Sequence, residues 1–303
     1  MAKILVAGLI NVETTLQIDG FPIEYFPVRY PFFGVRSTIS GVGFNIAKAL
    51  TTLGDQVSFL SVVGSDIHRI QVYQSLSDAG IDSQYIVEGS EYTPQSIILY
   101  DPNGRRQIHV DLKDYQNIQY PQEKFDQALS QSSLAVLCNI NFSRRFLSRA
   151  KLSGIPIASD VHSISSLDDE YNKDYIAAAD ILFCSDESLP CPPDVWAEQV
   201  FRRYGANIVV IGLGAKGAYL AVRNQCIREH IKSIYTRPVI NTIGAGDAMF
   251  SCFLHYYLTT KDAVLALNKA MVFASYKIGE RGAADGFLSE RDLEIIYTRT
   301  CSD

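Results

Sequence analysis

The chain has 303 residues, a net charge of −6, 47% hydrophobic residues and 20% charged residues. This balance is typical of a globular protein with a sizeable core, and it excludes collagen, coiled coil and disorder as the main architecture. The acidic charge argues against nucleic acid or an anionic membrane as the main partner. No stretch reaches the roughly 18 apolar residues of a membrane helix. Six scattered cysteines without a CxxC pair indicate reduced thiols in a cytoplasmic protein.

The first third of the chain alternates strands and helices. Residues 3–10 form an apolar run typical of a buried parallel strand, and residues 56–64 form a second strand. Apolar residues at helical spacing predict a helix over 43–53. A further helix is predicted over 66–79, where Gly80 is a C-cap signal.

Two segments depart from this alternation. Residues 12–39 contain three prolines and many aromatic side chains, which predict β structure and loops. Residues 96–112 form two β runs around the turn sequence DPNG, which predicts a hairpin. We expect insertions at about 12–39 and 92–115 to form a small β lid beside the main sheet.

From residue 121 onward, apolar strands and helical segments alternate regularly. The strands LAVLCNI, IPIASDV, ADILFCS and ANIVVIGL predict a mostly parallel sheet covered by helices, and further helices are predicted over 245–258, 261–278 and 289–298. No linker or internal repeat interrupts the pattern. The sequence therefore predicts an α/β fold, with residues 1–303 forming one domain.

The strongest local signal is Gly244-Ala245-Gly246-Asp247, at the start of the predicted helix 245–258. Small residues before a helix leave backbone N–H groups and the helix dipole open to an anion. An Asp in the first turn is usually a capping carboxylate. The alternative is a general base beside a bound phosphate, which the three small residues favour because a cap alone does not need them.

A second glycine turn, Gly41-Val-Gly43, leads into the helix over 43–53, with Asn45 in its first turn. Close approach of a polar ligand to the backbone would explain the two glycines. The alternative is an ordinary loop-to-helix turn in which Asn45 is the cap.

A third glycine pattern, Gly212-x-Gly214-x-x-Gly217, follows the strand ANIVVIGL. A dinucleotide-binding fold would require a helix next and an acidic residue about 20 positions on. The following residues, AYLAVRN, alternate like a strand, and the region around 235–237 contains no acid. The pattern therefore predicts either a hairpin turn or a turn over a nucleotide.

The two glycine–polar signals, about 200 residues apart, resemble those of the ribokinase-like carbohydrate kinases of the PfkB family. The N-terminal family pattern is matched by Gly41, Gly43, Asn45, Ala47, Leu53 and Gly54, and the C-terminal one is similar to Asn241, Thr242 and Gly244–Asp247. The resemblance extends over essentially the whole chain. It implies a ribokinase-like three-layer α/β/α sandwich with a small β lid.

The resemblance also implies roles for individual residues. It implies that Asp247 is the catalytic base and that Gly244, Ala245 and Gly246 form the anion hole. The implied substrate-binding residues are Asn11, Glu13, Gly41, Gly43, Asn45 and Asn141. Glu13 lies where the family commonly has a sugar-binding Asp, and Asn11, two residues away in an extended segment, points to the same side. The implied nucleotide-binding residues are Ser185, Glu187, Gly212, Gly214, Gly217 and Thr242.

Three positions depart from the family patterns. The N-x-x-E motif, linked to magnesium and phosphate, is replaced by Ser185-Asp-Glu187-Ser188, so that Glu187 is the candidate metal ligand, one position early. The GxDxxG motif ends in Arg69 instead of glycine, and Asn241 replaces an Asp. The implied cofactors are ATP and Mg²⁺, with a monovalent cation such as K⁺ as a further candidate.

The sequence thus predicts an ATP-dependent kinase that phosphorylates a primary hydroxymethyl group of a small sugar, in a lid-mediated homodimer. Three alternatives stay open. A nucleoside kinase would use the lid aromatics to bind a base. A phosphosugar kinase would use Arg29, Arg36 or Arg106 to bind the substrate phosphate. A sugar-binding regulator would keep the fold without the chemistry.

Overall fold

The structure is a computed structural model that describes residues 2–301. Its strands, in chain order, are β1 (Lys3–Ala7), β2 (Asn11–Gln17), β3 (Val35–Ser40), β4 (Gln56–Gly64), β5 (Ile86–Ser90), β6 (Gln95–Tyr100), β7 (Arg106–Asp111), β8 (Leu134–Leu137), β9 (Ile157–Ser163), β10 (Ile181–Ser185), β11 (Ile208–Gly212), β12 (Ala218–Val222) and β13 (Ile227–Ile231). Its helices are α1 (Val42–Thr52), α2 (His68–Asp78), α3 (Gln122–Leu129), α4 (Asn141–Arg144), α5 (Leu147–Ser153), α6 (Lys173–Ala178), α7 (Pro193–Arg203), α8 (Ala245–Thr260), α9 (Ala263–Lys277) and α10 (Glu290–Cys301).

Within the described residues, nine strands form one sheet in the order β13-β12-β11-β10-β9-β8-β1-β4-β5. Neighbouring strands from β11 to β5 are parallel, whereas β12 and β13 extend one edge in antiparallel orientation. The four apolar strands predicted after residue 121 are therefore adjacent members of a mostly parallel sheet, as expected.

Both faces of this sheet are buried. Along β1, Ile4 and Val6 pack into one apolar cluster, and Leu5 and Ala7 pack into the other, because alternate side chains point to opposite faces. The first cluster also contains residues of α1, α2, α8, α9 and α10, whereas the second contains residues of α3 to α7. The predicted three-layer α/β/α sandwich is confirmed.

A separate four-stranded sheet has the order β3-β2-β6-β7, with β2 parallel to β6 and the other pairs antiparallel. Its strands come from the two segments in which the sequence predicts a lid, so we call it the lid sheet. Ile98 and Tyr100 on its inner face pack against Ile243 and Ala283 of the main body. The lid sheet therefore covers the loop that precedes α8.

The β structure and loops predicted over residues 12–39 are confirmed, since β2 and β3 flank residues 18–34, which contain no helix or strand. One local prediction needs correction. Helix α2 begins at His68 rather than at residue 66, because the Asp66 carboxylate instead accepts hydrogen bonds from Thr93 N and Oγ1, both at 2.8 Å. This contact ties the loop after β4 to the start of the lid strand β6.

The helices of the described region are short or carry charges. None of them is long and apolar enough to cross a membrane.

Candidate active site

Helix α8 begins on a turn that only glycine can make. Gly244 has a left-handed φ of 74°, and a Cβ at this position would lie 2.5 Å from Ala283 O. At Gly246 the nearest atom to an added Cβ would be Asp160 Oδ2, at 3.9 Å. The backbone in front of the helix start is therefore open on the side of Asp160, which lies near the carboxyl end of β9.

The amides of this turn are not equally available. The Ala245 amide donates to Thr242 O at 3.3 Å. The first-turn amides of Gly246 and Asp247 have no acceptor within the helix, as at any helix N-terminus. Gly246 and Asp247 are thus donors that can face an anion, whereas the amide of Ala245, a member of the predicted Gly244–Gly246 set, is already bonded.

A chain of buried hydrogen bonds joins the lid sheet to the start of α8. Asn45 Nδ2 donates to Asp247 Oδ2 at 2.7 Å. The Ser40 hydroxyl lies 3.1 Å from Asn45 Oδ1 and 2.9 Å from Glu13 Oε2, so that its single proton serves two acceptors. The structure therefore brings three of the predicted site residues, Glu13, Asn45 and Asp247, into one polar network.

Neither Asn45 nor Asp247 caps its own helix. Helix α1 begins after Gly41 and helix α8 begins after Gly244, and neither start has a side-chain cap hydrogen bond. The capping interpretation of both residues is thereby wrong, because their side chains bond to each other across 202 positions of sequence.

Several groups shift the pKa of Asp247 in opposite directions, and the net shift is upward. Burial raises the pKa of this carboxyl, and the nearby Asp160 carboxylate raises it further. The hydrogen bond from Asn45 and the positive charges of His162 and Lys277 act in the opposite direction. A carboxylate with a raised pKa is a stronger base than a solvated one, provided that it remains ionised.

Two acceptor atoms at this site lack partners. Asn11 Oδ1 and Glu13 Oε1 are buried and accept no hydrogen bond from a described side chain, while the Ala283 backbone N–H lies close enough to Glu13 to lower its pKa. Asn11 Nδ2 donates to Ser96 Oγ at 2.9 Å, which fixes the orientation of its amide. Because buried acceptors are usually satisfied, the pair marks a place suited to external donors such as hydroxyl groups.

Gly41 and Gly43 are explained by chain packing. Gly41 has a φ of 109°, and a Cβ there would lie 2.6 Å from Leu9 O. A Cβ at Gly43 would lie 2.4 Å from Gly8 C. The close approach of α1 to the backbone after β1 accounts for both glycines, and the approach of a ligand to them stays a prediction.

Asn141 lies apart from the network. It is the first residue of α4, where its Nδ2 donates to Gln116 O at 3.1 Å and its Oδ1 accepts from Arg144 Nε at 3.3 Å. Its amide is thus bonded on both sides to neighbours of α4, and no hydrogen bond joins it to Glu13 or Asp247.

The predicted nucleotide residues cluster on the other side of α8. Ser185 pairs with Gly212 at the ends of β10 and β11. Arg106, at the start of the lid strand β7, donates to Thr242 Oγ1 at 2.8 Å and lies 3.7 Å from Glu187 Oε1. Thr242 and Glu187 are therefore brought together by a lid arginine.

Gly214 and Gly217 flank a short 3₁₀ turn between β11 and β12. Both have positive φ, and a Cβ at Gly217 would lie 2.0 Å from Ile231 O. Because β12 runs antiparallel to β11, the turn closes a hairpin, and the strand predicted after this glycine pattern is confirmed.

Five residues near the site carry no sequence signal of the motif type: Ser40, Arg106, Asp160, His162 and Lys277. Arg106 is identified in the sequence only as a candidate for a substrate phosphate. Position supplies a weaker signal for two others, since Asp160 lies near the end of the predicted strand IPIASDV, His162 follows it, and polar ends of parallel strands often line sites. Lys277 lies near the end of a predominantly apolar predicted helix.

Within residues 2–301 there is no group of three or more His, Cys, Asp or Glu side chains arranged to hold a metal ion. Glu187, the predicted ligand, is exposed and lies beside Arg106. Any metal here would have to draw most of its ligands from outside the protein.

Comparison with known proteins identifies the family. The pfkB family carbohydrate kinase model matches residues 1–290. The chain belongs to this family. Deoxyribokinase of Salmonella typhi is 26% identical, over 94% of this chain and 95% of the relative. ATP-dependent ribose-1-phosphate kinase of Halopiger xanaduensis is also 26% identical, over 96% and 99% respectively.

The solved structure of a microbiome-derived acarbose kinase superposes with a TM-score of 0.87 at 24% identity, and covers 98% of this chain and 99% of that one. At this identity the likeness concerns the fold, which is therefore the ribokinase-like fold that the sequence predicts. This PfkB protein is a kinase of the sugar and nucleoside class.

Proposed function

We propose that this PfkB kinase transfers the γ-phosphate of ATP to a primary hydroxymethyl group of a small sugar. The observation that carries the proposal is the buried chain Glu13–Ser40–Asn45–Asp247, which ends at the open amides of α8. The chain supports the proposal because it joins candidate acceptors for sugar hydroxyls to a candidate carboxylate base in the first turn of α8.

In the proposed reaction, Asn11 and Glu13 bind sugar hydroxyls through the acceptor atoms that lack partners in the protein. Asp247 accepts a hydrogen bond from the hydroxymethyl group and takes its proton as the oxygen attacks the γ-phosphorus. Asn45 fixes Asp247 Oδ2, which leaves Oδ1 for the substrate. The bond between the γ-phosphorus and the β–γ bridging oxygen breaks, and ADP leaves.

The phosphate side relies on positioning and on positive potential, as phosphoryl transfer generally does. The Gly246 and Asp247 amides would face the transferred group. Arg106, held by Thr242 and Glu187, would reach the phosphates from the lid. Ser185, Gly212, Gly214 and Gly217 would line the rest of the nucleotide site.

Mg²⁺ fits this site as a partner of ATP. The ion prefers several waters, one or two carboxylates and substrate phosphates, so it does not require a cage of protein ligands. Asp160, close to Gly246, and Glu187 are the carboxylates that would hold it, directly or through water. When bound, it would neutralise charge on the phosphates.

A phosphosugar kinase is the second candidate, because Arg36 lies on the sugar side. It extends from β3 and pairs with Asp285 at 2.7 Å while remaining 42% exposed. A substrate phosphate could replace Asp285 as its partner. The nucleoside alternative would require the lid aromatics to form a slot for the base. Tyr25, Phe32 and Phe33 are at least 86% exposed, so they would have to close on the base.

We also propose a homodimer formed through the lid, in the cytoplasm. The lid sheet exposes apolar side chains on both faces: Ile108 and Val110 lie on the same face as Ile98, and Ile97 lies on the opposite face. Light scattering should give a dimer mass. The triple change of these residues to Ser should give a monomer, and a monomeric wild-type protein would contradict the proposal.

The decisive experiment is ATP turnover in a coupled assay with a panel of pentoses, deoxypentoses, hexoses, phosphosugars and nucleosides. ³¹P NMR of the product should show a phosphomonoester at a primary carbon of one sugar. Transfer to a phosphosugar or nucleoside would assign the alternative substrate class. If none of the acceptors in the panel is phosphorylated in the presence of Mg²⁺ and K⁺, the kinase proposal is rejected in favour of a regulator.

A further inference from the structure

Lys277 is a fully buried lysine beside the candidate site. It is the last residue of α9, and its exposure is 0%. Its Nζ donates a hydrogen bond to Ile243 O, directly before the Gly244 turn. Lysines are almost never buried to this extent unless their charge is compensated, so that the position requires an explanation.

The turn that Lys277 contacts is held from several sides. Asn241 Oδ1 accepts from Ile243 N at 3.0 Å, and Asn241 Nδ2 donates to Arg281 O at 2.8 Å. Gly244 packs on Ala283 O. The Lys277 ammonium thus lies behind the turn whose front face presents the Gly246 and Asp247 amides.

Four carboxylates face Lys277 from the elements around it: Glu13 of β2, Asp247 of α8, and Glu280 and Asp285 of the loop after α9. Asp285 pairs with Arg36 at 2.7 Å, and Glu280 pairs with Arg237 at 3.1 Å. In the described part of the chain, no cation lies within ion-pair distance of Glu13 or Asp247. Lys277 therefore supplies buried positive charge that lowers the pKa of both carboxyl groups, and His162 acts on Asp247 in the same direction.

We infer that Lys277 is a positioning residue for phosphoryl transfer, a built-in cation that fixes the Ile243–Gly246 turn and places positive charge behind Asp247 and Glu13. The inference rests on the proposed function. It has a second consequence: the kinase does not require a monovalent cation such as K⁺. K⁺ is bound through carbonyl oxygens, and at this turn the Ile243 carbonyl oxygen already accepts a hydrogen bond from the Lys277 ammonium.

The charge of Lys277 can be titrated. Burial lowers the pKa of Lys277 to about 8, although the four facing carboxylates raise it. Protonated lysine is the active form in this scheme, so turnover should decline as the pH rises through about 8.

The test uses wild type, Lys277→Met and the matched control Lys269→Met. Lys269 lies on the same helix, is also largely buried and pairs with Glu294, away from the site. Turnover is measured with the Tris salt of ATP, in tetramethylammonium chloride and in KCl or NH₄Cl at equal ionic strength. Wild type and Lys269→Met should have the same kcat in all three salts.

Lys277→Met should lose about 10²-fold in kcat in tetramethylammonium chloride, because a preorganised charge is removed. K⁺ or NH₄⁺ should restore part of the loss, since either can occupy the space of the ammonium. The decline above pH 8 should disappear in Lys277→Met and persist in Lys269→Met. A merely structural role would give neither the rescue nor the altered pH profile.

Two results would overturn the inference: a wild-type enzyme that requires K⁺, or a Lys277→Met enzyme with full activity in potassium-free buffer. If Lys277→Met does not fold, the wild-type salt comparison still decides. If no acceptor is phosphorylated even in KCl, the proposed function fails separately. Thermal unfolding then tests Lys277, because K⁺ should selectively stabilise Lys277→Met and leave wild type unchanged.

Discussion

The two sides of α8 differ in how much of the site exists before any substrate binds. On the acceptor side, Glu13, Ser40, Asn45 and Asp247 are buried and joined by directional hydrogen bonds. On the nucleotide side, Glu187 is 62% exposed in its side chain, and Arg106 supplies the main contact. The protein has to align one hydroxyl group, whereas ATP carries its own charges and metal. The difference indicates that specificity and base alignment are built in on the acceptor side.

The comparison is tested most strongly by Asp247→Asn. The change is isosteric, so we expect normal folding and ATP binding, but turnover should fall about 10²–10⁴-fold because the general base is lost. Steady-state kinetics with the preferred sugar and calorimetric titration with ATP measure the two effects. Near-wild-type turnover would remove Asp247 from the proposed role.

Glu13→Gln comes next in size. A hydrogen bond to a charged group contributes about 1.5–3 kcal/mol, so KM for the sugar should rise roughly 10–100-fold. KM for ATP should stay unchanged, because Glu13 lies on the acceptor side. Thr14→Ala is the matched control, since Thr14 bonds to Ser37 rather than to the network. An unchanged sugar KM would remove Glu13 from substrate binding.

On the nucleotide side, Arg106→Gln should raise KM for ATP only a few-fold, because a partly exposed ion pair contributes about 0–1 kcal/mol. Sugar KM should not change. Arg69→Gln, which breaks the remote surface pair with Glu88, is the control. A large effect of Arg106→Gln on sugar KM, with ATP unaffected, would instead support a substrate phosphate as its partner.

The smallest expected effect is on the pH dependence of kcat/KM, whose decline on the acidic side should be displaced. Burial raises the pKa of both Asp247 and Glu13, so activity should be lost as the pH falls through values above the ordinary range of carboxyl groups. Removal of the Asn45 hydrogen bond in Asn45→Ala should move this limb to still higher pH. A limb at the position of a solvated Asp would mean that neither buried carboxylate limits the reaction.

The order of strands and helices follows from apolar runs and glycine signals, which are local properties of the sequence. The pairing of residues 12–39 with 92–115 was expected because neither segment fits the sheet pattern. The contact of Asn45 with Asp247 could be expected from the paired motifs, although each residue alone resembles a helix cap. These features depend on short-range patterns or on motif spacing.

Other parts of the site depend on packing, which spacing does not encode. In the sequence, Lys277 is typical of a lysine at the end of a helix. Only the tertiary structure shows that its ammonium donates to Ile243 O beside the Gly244 turn. Gly41 and Gly43 predict contact with a ligand, and a sequence cannot show that both also pack against Gly8 and Leu9. Asn141 follows a strand as a site residue would, yet its amide is bonded to Gln116 O and to Arg144 Nε.

The lid sheet carries Glu13 and Ser40, whereas Asn45 and Asp247 belong to the main body. Opening of the lid therefore has to break the Ser40–Asn45 link and, under the proposed function, would separate the proposed sugar ligand Glu13 from the proposed base Asp247. Water that reaches the γ-phosphate in the open enzyme would meet a base that lacks its full orientation. We therefore expect slow ATP hydrolysis when no sugar is present, because the arrangement that activates a hydroxyl group exists only when the lid is closed.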